Sequence, residues 1–136
     1  MLAWNRTPKT APGAEFVDLD TLLMESDVLS LHLLLTDETR GFLNAERLAK
    51  LRPGAILVNT ARGALIDEAA MIEGLRSGRI GHAALDVFET EPLSAGHELS
   101  RLPNVTLTAH SAFRTPEASE ALIRRALDIA KQLAAA

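Results

Sequence analysis

Short apolar runs alternate along the chain with stretches whose apolar residues recur every three or four positions. The short runs are Leu2 to Trp4, Ala14 to Val17, Val28 to Leu35, Ala55 to Val58, His82 to Phe88 and Val105 to Thr108. Turn residues precede several of them: Pro53-Gly54, then Gly78 with Gly81, then Pro103-Asn104. The longer stretches carry helix starts. Asp18 or Asp20 is placed to cap a short helix through Met24, and Asn44 to cap Ala45 to Leu51. Asp67 is placed to cap Glu68 to Arg76, with Ala69, Ile72 and Leu75 turned inward. Thr115-Pro116-Glu117 reads as N-cap and first turn of a last helix that runs to about Leu133. Its broad apolar face includes Leu122, Ile123, Ala126, Leu127, Ala130 and Leu133. Strands that alternate with helices, several of them almost wholly apolar, predict a parallel α/β sheet with helices on both faces.

Ligands of such sheets sit at the carboxyl ends of the strands. Three junctions there carry chemistry. The strand at Val58 is followed by Asn59-Thr60-Ala61-Arg62-Gly63, the strand at Val87 by Phe88-Glu89-Thr90-Glu91-Pro92, and the strand at Thr108 by Ala109-His110-Ser111-Ala112. A guanidinium, a carboxylate and an imidazole therefore emerge from one edge, and a reaction on a 2-oxo acid uses these three types. The guanidinium forks onto a substrate carboxylate or keto oxygen. The imidazole gives and takes back the proton on that oxygen. A carboxylate beside an imidazole favours its charged form and fixes the ring. Singly, each residue is ordinary: an Arg before Gly is a solvated turn residue, and Glu89 is left as surface. His32 reads as packed within its apolar run, and His82 and His97 as loop or strand-edge residues.

Composition narrows the field. With 136 residues and 47% hydrophobic content the chain suits one domain with a real core. A net charge of -4 argues against nucleic acid, and the absence of cysteine removes disulfides and thiolate metal sites; no metal is expected. No apolar run approaches the roughly 20 residues of a membrane span, and no secretion signal is visible, so a soluble, cytoplasmic protein is expected.

Three ordered motifs resemble the D-isomer-specific 2-hydroxyacid dehydrogenase family. Leu51-Arg52-Pro53-Gly54-Ala55-Ile56-Leu57-Val58-Asn59-Thr60-Ala61-Arg62-Gly63-Ala64-Leu65-Ile66-Asp67 is similar to one family signature, with Arg52 at a position that is usually lysine-like. Leu22 to His32 is similar to a second, with Leu34 where the family has proline; Ala84-Leu85-Asp86-Val87-Phe88-Glu89-Thr90-Glu91-Pro92 followed by His110 is the third. The resemblance implies catalytic roles for Arg62 (substrate), Glu91 (partner of the His) and His110 (acid/base). It implies nicotinamide-side contacts at Thr60, Ala61, Arg62, Asp86, His110 and Ala112, where Ser111-Ala112-Phe113 replaces a glycine-containing turn. It implies adenosine-side contacts at Asn5, Arg6 and Leu33. The cofactor it implies is NAD or NADP, and Asn5 at a position often acidic in NAD-preferring relatives, followed by Arg6, tips the reading towards NADP.

The same resemblance implies an incomplete Rossmann-like, doubly wound domain over residues 1–136. No Gly-x-Gly occurs among the eight glycines, so the first strand, the glycine-rich pyrophosphate loop and the separate substrate domain are expected to lie outside these residues. The implied function is hydride transfer between a nicotinamide cofactor and a small 2-oxo/2-hydroxy acid, with this piece inactive alone. The alternative is a non-catalytic, dehydrogenase-like module for oligomerisation or regulation. With a central strand missing, Met1 to Trp4 is left to pair elsewhere, to slide beside Val28 to Leu31, or to be covered by a second chain. Association into a homo-oligomer is the expectation.

Overall fold

The computed structural model describes residues 1–7 and 9–134. In chain order the elements are β1 (Leu2–Ala3), β2 (Glu15–Phe16), α1 (Leu19–Glu25), β3 (Val28–Leu31), α2 (Ala45–Lys50), β4 (Ala55–Asn59), α3 (Glu68–Arg76), β5 (Ile80–Leu85), β6 (Val105–Leu107) and α4 (Pro116–Ala134). Two 3₁₀ turns, Gly63–Leu65 and Glu98–Arg101, join them. The expected caps are formed. Asp18 accepts from the Thr21 N–H at 2.9 Å, Asn44 from Arg47 at 3.0 Å and Asp67 from Ala70 at 3.1 Å. Each satisfies a helix N–H that would otherwise lack a partner.

Strands β3-β4-β5-β6 form one sheet in that order, all parallel. Its register sorts the side chains by face. Leu29, Leu57, Ala83 and Val105 share one row, and Leu31, Asn59, Leu85 and Leu107 the next. These rows meet Leu23 of α1, Leu48 of α2 and Met71, Ile72 and Leu75 of α3 in one core. Met71 takes the inward place expected of Ala69, which is exposed. Leu57, fully buried in the central strand β4, is the sort of position where truncation to Ala costs about 2–5 kcal/mol.

Helices α1, α2 and α3 pack on one another along that single face. The opposite rows, Val28-Ile56-His82 and Ser30-Val58-Ala84-Thr106, carry no packed helix, and α4 has no buried residue. The α/β class and parallel sheet are as expected. Among the described residues the helical layer covers one face of the sheet.

β1 does not slide beside β3. It pairs, parallel, with β2 alone, so the chain has two sheets. A groove of about 340 Å³ separates β1 from β3, lined among others by Leu2, Trp4, Leu22, Leu29, Leu31 and Phe42. Across its end Trp4 stacks on Phe42 at 5.3 Å, with the Arg47 guanidinium 4.2 Å above the Phe42 ring. Arg6 and Glu38 add an exposed ion pair at 3.3 Å.

Candidate functional site

Because the strands are parallel, the loops after β4, β5 and β6 leave from one edge. The first is shaped by Asn59, a buried amide at the end of an otherwise apolar strand. Its Oδ1 accepts from the Ala61 N–H at 3.0 Å and its Nδ2 donates to the Arg62 carbonyl at 2.9 Å. These bonds fold Thr60, Ala61 and Arg62 into a tight turn. Arg62 is exposed and donates from one terminal nitrogen to the Ala61 carbonyl at 2.6 Å. Gly63 then passes against the next loop so closely that a Cβ would lie 2.0 Å from the Phe88 carbonyl carbon. Only glycine allows the two backbones this approach.

The second loop turns on Glu91, whose following peptide bond to Pro92 is cis. Glu91 accepts from the Phe88 N–H at 3.0 Å through Oε1 and meets His110 Nδ1 at 2.7 Å through Oε2. The His110 hydrogen bond, then that from Phe88, hold the Glu91 carboxyl below the ordinary glutamate range against the opposing effect of desolvation, and the Arg62 charge adds to them. An ionised carboxylate only accepts, so Nδ1 of His110 carries the proton. Its Nε2 has no hydrogen-bond partner among the described residues. His110 and Glu91 line a cavity of about 570 Å³ with Phe88, Leu93, Leu107 and Ala109.

The third loop is held by Asp86, which is buried. Its Oδ1 accepts from Thr108 Oγ1 at 2.5 Å and from the Ser111 N–H at 2.8 Å, and its Oδ2 from the Ala112 N–H at 2.9 Å. The His110 N–H donates to the Asp86 carbonyl at 2.8 Å. Burial would raise the Asp86 carboxyl, but these hydrogen bonds, aided by the His110 charge, outweigh it and hold the group below the usual aspartate value. Between the anchors His110 sits at φ 48°, left-handed backbone that a non-glycine residue adopts only under constraint.

The structure thus brings Glu91 and His110 into contact, while Arg62 bonds to the Ala61 carbonyl and acts on Glu91 through its charge. Asp86 and Ala112 lie behind this pair, joined to each other. Asn5 and Leu33 line the separate groove between β1 and β3. There Asn5 Nδ2 donates to the Thr7 carbonyl at 2.8 Å and Arg6 faces Glu38. His32 is exposed rather than packed, bonded through Nε2 to Ser30 Oγ at 2.9 Å. His82 belongs to the interior strand β5, not to an edge, with Nε2 2.9 Å from Thr106 Oγ1. Sequence reasoning passed over Asn59, Gly63 and Thr108. A polar side chain ending an apolar strand was the available sign for Asn59. The role of Asp86 as a loop anchor had none, because its partners are mostly backbone N–H groups.

Comparison with known proteins gives a consistent result. Residues 1–112 match the family model described as D-isomer specific 2-hydroxyacid dehydrogenase, NAD binding domain. The chain is 50% identical to a glyoxylate reductase of Thermofilum pendens over 80% of its own length and 32% of that protein. It is 48% identical to a glyoxylate reductase of Aeropyrum pernix over 90% of its length and 36% of that protein. Among solved structures, a D-isomer specific 2-hydroxyacid dehydrogenase from Xanthobacter autotrophicus Py2, in complex with NADPH and MES, superposes with a TM-score of 0.78 at 48% identity. That match covers 80% of this chain and 36% of the other. The chain therefore spans about a third of the length of the curated relatives it matches.

Proposed function

Because the chain belongs to the D-isomer-specific 2-hydroxyacid dehydrogenase family, we propose that residues 1–136 are part of the nucleotide-binding domain of an NAD(P)-dependent reductase of small 2-oxo acids. The observation that carries this reading is the 2.7 Å contact between His110 Nδ1 and Glu91 Oε2, which leaves Nε2 unengaged beside a cavity at the strand ends.

In this reading Arg62 leaves its contact with the Ala61 carbonyl and binds the substrate carboxylate. His110 delivers a proton from Nε2 to the oxo oxygen during reduction and takes it back during oxidation. Glu91 holds the ring and balances the charge on it, and the Asp86 anchor sets the height of His110 above the sheet edge. The nicotinamide coenzyme, when bound, supplies or accepts the hydride at C2.

The residues present would serve the two ends of such a coenzyme but not its pyrophosphate. The backbone of Thr60 to Arg62, with Asp86 and Ala112, would flank the nicotinamide end, and Leu33, Asn5 and Arg6 the adenosine end. The chain carries no Gly-x-Gly turn to receive the pyrophosphate. That turn, a strand to fill the groove between β1 and β3, and the substrate domain are assigned to sequence outside these residues. Asn5 and Arg6 favour NADP: neither is acidic, and the Arg6 contact with the highly exposed Glu38 is weak enough to exchange for a 2′-phosphate.

The test is oxidation of NADH and NADPH with a panel of small 2-oxo acids, by the complete polypeptide that carries these residues and by the 136-residue chain alone. The complete protein turns over, and His110→Ala lowers its kcat by about 10²–10⁴ while it stays folded. The short chain alone does not turn over. A complete, folded protein that reduces none of these acids with either coenzyme overturns the reading.

A further inference from the structure

Thr39, Asn59 and Asp86 are the buried polar residues among those described. Two of them are neighbours at the ends of β4 and β5, where the Asn59 carbonyl accepts from the Asp86 N–H at 3.0 Å. Burying an amide or a carboxylate is unfavourable unless its hydrogen-bonding groups are used. Each of these two side chains is used on a loop. Asp86 gathers residues 108–112. Asn59 bonds only within the turn that carries Arg62.

Backbone and side chain of Asn59 therefore serve different loops. The backbone belongs to the β4–β5 ladder and to Asp86. The side chain takes the Ala61 N–H on Oδ1 and gives Nδ2 to the Arg62 carbonyl. This needs one acceptor and one donor on a short planar fork. Asp in its ionised form cannot donate, and a single hydroxyl has one oxygen for both tasks. Between the two bonds Arg62 has extended backbone, φ -149° and ψ 138°, and Gly63 beyond it is pressed against Phe88. The Cα from which the guanidinium swings is thus fixed, although the side chain itself is exposed. An Arg side chain has many rotamers, and a root that also moved would add to what substrate binding must order.

We propose that Asn59 is a positioning residue for substrate binding: its side-chain amide fixes the root of Arg62, and so sets the affinity for the substrate carboxylate, without reaching His110. This rests on the reading of Arg62 as the group that takes that carboxylate. It divides the site between two neighbours, with Asn59 serving substrate binding and Asp86 serving proton transfer. The fold tolerates loss of the Asn59 side chain. The Arg62 carbonyl also accepts from the Leu65 N–H at 3.3 Å, and the bond from Asp86 to the Asn59 carbonyl is a backbone bond.

The test is a double-mutant cycle in the complete polypeptide, with Asn59→Leu, Arg62→Ala and the two combined, assayed with a 2-oxo acid at saturating coenzyme. Asn59→Leu is expected to raise KM for the acid at least about tenfold and to change kcat less than about threefold. The pH profile of kcat, which His110 governs, stays in place. In the Arg62→Ala background the same substitution is expected to change kcat/KM less than about twofold, because no guanidinium remains to be displaced. Circular dichroism checks that each variant is folded. Should Asn59→Leu not fold, Asn59→Ser, which is smaller and keeps one hydrogen-bonding group, takes its place in the same cycle. Equal effects of the Asn59 substitution with and without Arg62 overturn the proposal. So does a fall in kcat at unchanged KM, or a displaced pH profile, either of which marks a disturbance that reaches His110. Arg62→Ala at parental KM is a different failure: it defeats the reading of Arg62 itself, and the inference with it.

Discussion

Protonating or replacing Asp86 weakens the three hydrogen bonds that hold residues 108–112 in place. In Asp86→Asn the amide keeps one acceptor oxygen, but its NH₂ then faces a backbone N–H across a contact that used to be charge-assisted. The expected loss is about 2–4 kcal/mol, at the upper end for buried bonds to a charged group, read as a lower urea midpoint with an unchanged slope. Acid acts on the same bonds. Both Asp86 and Glu91 titrate below their ordinary values in the folded chain. Each therefore contributes stability that is complete above its unfolded value of about 4. That contribution is lost as pH falls through the lower folded value. Stability should fall steadily with pH below about 4, and Asp86→Asn should flatten that decline. A denaturation midpoint that does not move over this interval would show that neither carboxylate is held as described.

Elements meet the site through close approaches of backbone as much as through side chains, and Gly63 is the clearest case. Its Ala substitution drives a Cβ into the Phe88–Glu89 peptide, so the loop after β4 must lift from the loop after β5. The expected cost is at least about 2 kcal/mol, in the range of overpacked sites. In a complete enzyme KM for the 2-oxo acid should rise along with a fall in kcat, because Arg62 moves with the loop. Gly63→Ala at parental stability would mean that the two loops have room to separate. The three capped helices were legible in the sequence because each cap needs only one side chain at one place: Asp18, Asn44 and Asp67. Strand identities were legible from apolar runs set off by turn residues. The meeting of the Glu91 and His110 side chains followed the same logic, since parallel strands send their following loops to one edge. What escaped was relational. Ala69 and Met71 exchange roles because helix phase was set by packing on β5. His82 lies inside the sheet because β5 begins at Ile80, two residues earlier than its apolar run suggested.

At the scale of the molecule, the chain is a well-packed sheet with one helical layer, and a two-stranded ribbon stands across a groove from it. The ribbon's strands, β1 and β2, pair with each other and pack broadly on no other element. What ties them to the rest is the Trp4–Phe42 stack, the Arg6–Glu38 pair and the rim of the groove. An exposed ion pair contributes about 0–1 kcal/mol and an aromatic pair about 0.5–1.5 kcal/mol beyond its burial. The ribbon should therefore open without disturbing the core, as a unit of low local stability. Hydrogen exchange separates the two. The Glu15 and Val17 N–H groups, bonded to the Met1 and Ala3 carbonyls, should exchange at least about a hundredfold faster than the amides of Leu57 and Leu85, which open only with the whole sheet. Trp4→Ala should speed exchange in the ribbon alone and leave β4 and β5 unchanged. Leu57→Ala, in the core, should speed exchange of the β4 and β5 amides. If ribbon and sheet instead exchange together, and Trp4→Ala lowers protection in both, the groove is not a boundary between two bodies and the ribbon is part of the main cooperative unit.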